Sequence, residues 1–470
     1  MIILFGEKLK SERIFPVSSI LKEITEYNSG LQKLKQELNE AVTLKALALT
    51  GFKIGMAIAV LIIEETLTDR AYNTVDRPVC PKCRASLESK GWLPRAVMTV
   101  IGFITWKRKV WRCPNGCRIG QTAPFDSELG LRPNQRTGDD LKQIACVLAV
   151  FLPFNIAALL LKTLLGIEVS PSAVWNWTQY AGKEAMARLE KELTELKDKL
   201  PAVEETEAEI ALLPLIIGGD GVMVPFRPNG GSPEGKSVWK EVKVGILARL
   251  GSRINRKGKK VSMIVRKRVT AVLGDIEVFK ARMRLASLKE GILEAEVVVW
   301  LSDGGRGYWG VFYDLFAKHA KGILDFYHAA QNLWKGARAW FDGRTVKARE
   351  WFGCARKRLR MGRARGVVNE INAELESENL PDSVRNSLEN LVNYLEKHKE
   401  HTDYERYKEL GLPIGSGMVE SACKWLIQQR FKCVGMRWSE NGFNNLLHLR
   451  LAWMNKSYDQ LFEPICSPNS

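Results

Sequence analysis

Leu215-Ile-Ile-Gly-Gly-Asp220-Gly-Val-Met-Val224 is an apolar run holding one carboxylate between glycines. A second run, Val297-Val-Val-Trp-Leu-Ser-Asp303-Gly-Gly305, repeats the pattern. Short apolar runs bounded by glycine read as buried strands. Each aspartate is therefore expected at or near the end of a strand. If the two strands are neighbours in one sheet, the side chains converge. Two close carboxylates repel unless a cation joins them, and Mg²⁺ is the natural partner. Small glycine neighbours leave room for a phosphate backbone. Taken singly, an Asp-Gly after a strand reads as a turn, so the weight rests on the combination.

A third acid follows in Pro413-Ile-Gly-Ser-Gly-Met-Val-Glu420-Ser-Ala-Cys-Lys424. The Gly415-Ser-Gly417 turn launches a helix expected to run to about Phe431. Lys424, four residues after Glu420, shares its face. A carboxylate for metal beside a cation for phosphate suits phosphoryl-transfer chemistry. Arg430, Lys432 and Arg437 extend the positive surface.

Around these blocks the texture changes along the chain. From Ala211 it is strand-like, over Leu212–Ile217, Val222–Arg227 and Glu241–Arg249. From about His328 to Leu410, and again from Met418 to Trp453, it is helical. The 470 residues carry 70 Lys plus Arg against 53 Asp plus Glu, a net charge of +17. With 46% hydrophobic residues, a wholly disordered chain is excluded. The basic excess ranks nucleic acid first among partners and an anionic membrane surface second. It is concentrated in two runs. The first holds Arg253, Arg256, Lys257, Lys259, Lys260, Arg266, Lys267 and Arg268. The second, Lys335 to Arg365, includes Arg358 and interleaves Trp334, Trp340 and Trp351. At least two of those tryptophans read as packing their own helices; a free one could stack on an exposed base.

Cys80-Pro-Lys-Cys83 and Cys113-Pro-Asn-Gly-Cys117 are two tight knuckles. Four thiolates give Zn²⁺ a closed tetrahedral shell, which is structural because no position stays open. Two β segments, Arg95–Gly102 and Phe103–Trp111, fill the gap between the knuckles. Cys146, Cys354, Cys423, Cys433 and Cys466 show no pairing pattern, and most of them read as core. Phe154 to Trp177 reads as a helix, a turn at Gly166, Ser170 as cap and a second helix from Pro171. That is a helix-turn-helix pattern; an ordinary αα corner gives the same signal. Residues 186–209, rich in Glu and Lys, read as a helix end and a linker. Apolar steps at Ile20, Leu21, Ile24, Leu31, Leu34 and Leu38 predict a helical N-terminal region. Ala46–Ile63 carries Lys53, and its uncharged stretch from Ile54 is too short for a bilayer. It reads as a buried core helix. No secretory signal is visible, since Met1-Ile-Ile-Leu-Phe5 meets Gly6-Glu7-Lys8 at once. The expectation is a soluble protein of the cytoplasm, associated with the nucleoid, with no membrane partner.

These blocks together resemble insertion-sequence transposases of the DDE superfamily, in particular the bacterial Kra-type group related to Mutator-like transposases. The likeness rests on Gly219-Asp220-Gly221 with Glu241-Val-Lys-Val-Gly245. It rests equally on Leu301-Ser-Asp303-Gly304 with Ile323-Leu-Asp-Phe-Tyr-His328. The most specific block is Ile414-Gly-Ser-Gly-Met-Val-Glu-Ser421, running on to Arg430-Phe-Lys-Cys-Val-Gly-Met-Arg-Trp438. The resemblance implies an RNase H-like catalytic domain in which Asp220, Asp303 and Glu420 hold two Mg²⁺ or Mn²⁺ ions. It likens Asp325-x-x-His328 to the Cys-or-Asp-x-x-His element of Mutator-like enzymes, a support of the site; His328 as a helix-start residue hydrogen-bonded in the core gives the same pattern. One departure is Gly304-Gly-Arg-Gly-Tyr-Trp309, where the family pattern is a tighter Asp-Gly-Ala with an aromatic soon after.

The expected class is thus α+β and multidomain. A helical region covers 1–72, a four-cysteine zinc ribbon 73–130 and a helix-turn-helix region 135–200. An RNase H-like α/β domain covers 210–458, with a helical insertion at about 330–410. The expected activity is Mg²⁺-dependent cleavage and strand transfer on double-stranded DNA, at transposon ends and target. DNA contacts are expected from Lys424, Arg430, Lys432, Arg437, Lys257, Lys260, Arg266 and Arg358. A homodimer or larger assembly is expected on DNA. The rivals are a non-catalytic DNA-binding regulator on a transposase scaffold and a structure-specific nuclease of the same fold.

Overall fold

The computed structural model describes residues 28–73, 77–119, 122–228, 235–377 and 379–463. Ile20, Leu21, Ile24 and Cys466 lie outside them. The chain divides into two compact units. One comprises residues 1–145, 155–170 and 464–470; the other comprises 146–154 and 171–463.

In the first unit, α1 (Ser29–Glu40) starts at Asn28, whose side chain accepts from the Gly30 and Leu31 amides and so satisfies two orphan donors. α2 (Leu44–Asn73) follows. The expected buried core helix is longer than Ala46–Ile63, and it is not buried. Only 11% of its most apolar 18-residue stretch is covered. The neighbours explain this: α1 and one strand pack along part of its circumference and leave the rest bare. The predicted β segments form an antiparallel hairpin, β1 (Glu88–Thr99) with β2 (Gly102–Arg112). Gly102 turns the hairpin at φ +119°, backbone that favours glycine. Val97, Ile104 and Trp106 of the hairpin close a small core with Ala71 and Phe125. Phe125 belongs to the short α3 (Pro124–Glu128). α4 (Asp139–Phe151) crosses the boundary between the units. α5 (Phe154–Leu165) ends at Gly166, which sits at φ +72°.

The second unit begins with α6 (Pro171–Glu195) and is built on a five-stranded mixed sheet. β3 (Leu215–Phe226), β4 (Val238–Ile254) and β5 (Lys260–Val272) run antiparallel. After α7 (Ile276–Lys289), β6 (Val298–Ser302) and β7 (Lys321–Leu324) lie parallel to β3. The spatial order is β5-β4-β3-β6-β7. β3 corrects one expectation. Its two predicted pieces are one strand, so Asp220 stands mid-strand. β4 pairs with β3 without a break from Leu215↔Arg249 to Phe226↔Val238, and the glycines need no turn. The first basic run supplies the end of β4, a tight turn and most of β5.

Between β6 and β7 lies α8 (Arg306–Val311). Beyond β7 come the insertion helices α9 (Phe326–Phe341), α10 (Val346–Arg360), α11 (Ala364–Leu375), α12 (Asp382–Lys397) and α13 (Tyr404–Glu409). Their apolar faces share one core with α7, β6 and β7. Trp334, Trp340 and Trp351 all pack there, with Trp340 edge-on to Trp351 at 5.5 Å. α14 (Gly417–Ala422) runs on through a wide π turn, Cys423–Gln428, to Phe431. With α15 (Glu440–Met454) it closes a second core against β3 and β4.

Candidate active site and metal centre

β3 and β6 set the two aspartates side by side. Leu215, Ile216 and Ile217 pair in parallel with Val298, Val299 and Trp300. The Ser302 hydroxyl donates to the Gly219 carbonyl at 3.5 Å, holding the same offset further along. The next position on that offset puts Asp303 beside Asp220. Residues at matched parallel positions share a face. Gly218 lies on that face too, and a Cβ there would come within 2.6 Å of the Leu301 carbonyl and of a Val419 methyl. Only glycine lets α14 seat this closely, and α14 carries Glu420.

Glu420 faces a histidine and a lysine. Its Oε1 is 3.6 Å from His328 Nε2, and its Oε2 is 3.9 Å from Lys424 Nζ. Asp220 Oδ1 accepts from the Gly221 amide at 2.7 Å. The Cys423 thiol points at Asp220 Oδ2 from 3.9 Å. Burial first, then the Asp220 charge, pushes that thiol up to about 12, so it stays protonated beside the carboxylate. Asp303 Oδ1 accepts from the Gly305 amide at 3.0 Å.

Asp325 is 1% exposed and, among the described residues, makes no hydrogen bond to another acid of the site. It ties the elements that carry them. Its Oδ1 caps α9, accepting from Tyr327 N at 2.6 Å and His328 N at 3.0 Å. Its Oδ2 accepts from Ser416 N at 2.6 Å and from the Ser416 hydroxyl. Its own amide donates to the Ser302 carbonyl at 2.9 Å. One residue thus joins the end of β6, through its amide, to the start of α9 and the turn that launches α14, through its carboxylate.

The unusual Gly304–Trp309 stretch has a matching explanation. A Cβ on Gly304 would lie 2.1 Å from the Tyr394 ring of α12. Trp309 Nε1 donates to the Asp303 carbonyl at 2.6 Å, while its ring stacks on His401 at 4.3 Å. The insertion therefore grips the loop that bears Asp303.

Burial is the largest influence on Asp220 and raises its pKa; the nearby Asp303 and Glu420 charges raise it further, while Gly221 N–H and His328 oppose them. Three acids in mutual repulsion, all offering oxygen, suit a hard divalent cation. Among the described residues the three acids do not gather into a tight ligand cluster.

No protein-family model matches the sequence. No curated protein matches it either. Among solved structures, the chain is similar to the Drosophila P element transposase strand transfer complex. The identity is 12%, covering 72% of this chain and 82% of that one, with a TM-score of 0.24.

The cysteines of the first unit gather as their spacing predicts. The four sulfurs of Cys80, Cys83, Cys113 and Cys117 lie within 4.8 Å of one another. Cys83 and Cys113 sulfurs are 3.5 Å apart. Sulfurs on a tetrahedral zinc at Zn–S of about 2.3 Å stand roughly 3.8 Å apart, so the cluster could hold a structural zinc. The Ala85 amide, first among several donors, lowers the Cys83 thiol, while hydrogen bonding with Cys83 and then Cys113 raises that of Cys117.

The expected DNA contacts separate into two groups. Lys257 and Lys260 are exposed on the β4–β5 turn, and Lys424 and Lys432 are exposed around α14. Arg437 is half-buried and donates to the Gly235 carbonyl at 2.9 Å. Arg430 is a correction: it is 1% exposed, gives its Nε to the Ala149 carbonyl at 2.9 Å and stacks over Trp438. A guanidinium so enclosed serves packing. Arg266 is committed to Glu290 at 3.0 Å and Glu204 at 3.3 Å, and Arg358 to Glu370 at 2.5 Å. Sequence reading missed Cys423, Trp309 and Tyr394 at the site. The first gave a signal, lying three residues after Glu420 on a helix.

Proposed function

We propose that the chain is a DNA transposase with an RNase H-like catalytic unit of the DDE type, nearest in character to the Kra-type insertion sequences. One observation carries this: the β3–β6 offset aligns Asp220 with Asp303, and α14 brings Glu420 onto the same face. The sheet order, three antiparallel strands followed by two parallel ones, supports the RNase H-like reading. Asp220, Asp303 and Glu420 would hold the Mg²⁺ or Mn²⁺ ions, which when bound activate water and stabilise a leaving 3′ oxygen. Lys424 sets a positive charge where a phosphate must lie. His328 orients Glu420, and Asp325 fixes the backbone under both. Lys257, Lys260, Lys432 and Arg437 would neutralise DNA phosphates. The cysteine hairpin and the α5–Gly166–α6 segment are assigned to reading transposon ends. The partners are double-stranded end and target DNA, met in the cytoplasm at the nucleoid.

The test incubates purified protein, Mg²⁺ and donor DNA bearing the element's ends. Cleavage and joining are expected from the native chain, and their loss from Asp220→Asn, Asp303→Asn and Glu420→Gln. Asp220→Asn should melt no lower than the native protein without metal, because it removes a carboxylate whose ionisation burial opposes. Cleavage retained in any one variant removes that residue from the triad.

A further inference from the structure

α2 has 30 residues, about 45 Å at 1.5 Å per residue. It is apolar and long enough to cross a membrane by length and composition, yet is almost uncovered. Its inner side is accounted for. Thr50, Ile54 and Ala71 are buried, and Ile63 and Leu67 meet the hairpin core. The Glu64 carboxylate accepts from Thr105 N of β2 at 2.7 Å.

The outer side is one stripe. At 100° per residue, Ala48, Phe52, Gly55, Ala59, Ile62 and Thr66 fall within a narrow arc. All are exposed or half-exposed. A Cβ added to Gly51 or Gly55 would find nothing within 4 Å among the described residues. Isolated apolar residues on a surface need no explanation, but a continuous stripe of this length marks an interaction site.

We propose that this stripe is the interface with a second copy of the chain, met antiparallel about a two-fold axis that passes through the stripe at the height of Ala57. In that register the stripe is complementary to itself, as a two-fold interface requires. Gly55 faces Ala59 of the second copy, Phe52 faces Ile62, and Ala48 faces Thr66. The small pair at the centre lets the backbones approach closely, and the large pairs flank it. Charge selects the direction. Lys45 flanks the stripe in the first half of α2 and Asp69 flanks it in the last, both exposed, while Lys53 and Glu64 lie on the inner side, paired with Glu37 and the Thr105 amide. An antiparallel pair sets Lys45 of each copy against Asp69 of the other and opposes the helix dipoles; a parallel pair would set like against like. The inference is independent of the nuclease reading, since it concerns only the first unit.

The experiment measures the mass of the full-length chain in solution by light scattering during size exclusion. A dimer is expected. Phe52→Glu with Ile62→Glu should yield monomer of unchanged helix content, because both residues are exposed in the single chain. Lys45→Glu should raise the dimer dissociation constant by about tenfold, a change of roughly 1.4 kcal/mol. Adding Asp69→Lys should restore it. A native monomer overturns the proposal, whether or not it sediments with anionic phospholipid vesicles. So does a native dimer unaffected by Phe52→Glu with Ile62→Glu. A dimer that forms only after removal of residues 1–27 overturns it too, by showing that the chain covers its own stripe.

Discussion

Asp303 leaves its strand one residue after β6 ends, and a carboxylate at such a place is only as fixed as the loop beneath it. Three contacts hold that loop: the Gly305 amide on its own Oδ1, the Trp309 indole on its carbonyl, and the Tyr394 ring against Gly304. Trp309→Phe keeps the ring and removes the donor, at a cost of about 1 kcal/mol in stability. In cleavage assays this variant should need several-fold more Mg²⁺ for half-maximal rate, with a smaller change at saturating Mg²⁺. An unchanged Mg²⁺ requirement would make Trp309 a packing residue only. Asp220, Asp303 and Glu420 stand out in the sequence only in combination, since an Asp-Gly after a strand is by itself a turn and a Glu on a helix is by itself surface. Arg430 was misread because charge can be counted without coordinates and burial cannot.

Among the elements, the β4–β5 turn and the cysteine hairpin carry separate expectations. Among the described residues, Lys257 and Lys260 make no ion pair that would hold them back from a phosphate. Replacing each by Ala should reduce the slope of log affinity against log salt by roughly 0.9 on duplex DNA. Arg430→Ala should instead lower the melting temperature, since it strips a buried donor from the Ala149 carbonyl; a selective loss of DNA affinity with unchanged melting would restore it as a DNA contact. For the hairpin, elemental analysis should find one zinc per chain, and Cys83→Ser should lose it together with thermal stability. A folded, metal-free native sample would sink the zinc centre. The hairpin was visible beforehand because β segments and paired cysteines are local patterns. β5 was not, because Arg266-Lys-Arg268 interrupts the apolar pattern that marks a strand.

Across the whole molecule, buried histidines set the response to acid. An ordinary histidine titrates near 6.5. Burial, with Arg282 as the nearest positive charge, pushes His448 down to about 4; burial chiefly does the same to His398. Between those values the unfolded chain binds protons that the folded chain refuses. Stability is therefore lost as pH falls from about 6.5 toward 4. Thermal melts across this window should show the decline, and His448→Phe should flatten it; an unchanged slope would assign the loss to other groups.

The sequence alone determined the local chemistry of this protein: a basic chain, two cysteine knuckles, three acids in apolar or glycine-rich settings, and helical segments around a strand-rich middle. These follow from periodicity, turn residues and ligand spacing, all short-range properties. Tertiary structure decided which distant pieces meet. Only pairing of β3 with β6 aligns Asp220 with Asp303, and only the bare surface at Gly218 admits α14. It also decided which charges are free, sending Arg430, Arg266 and Arg358 to partners within the fold. It left α2 uncovered where its composition suggested a core. The reason is that burial and partner choice depend on residues far apart in the chain, and no local pattern encodes them.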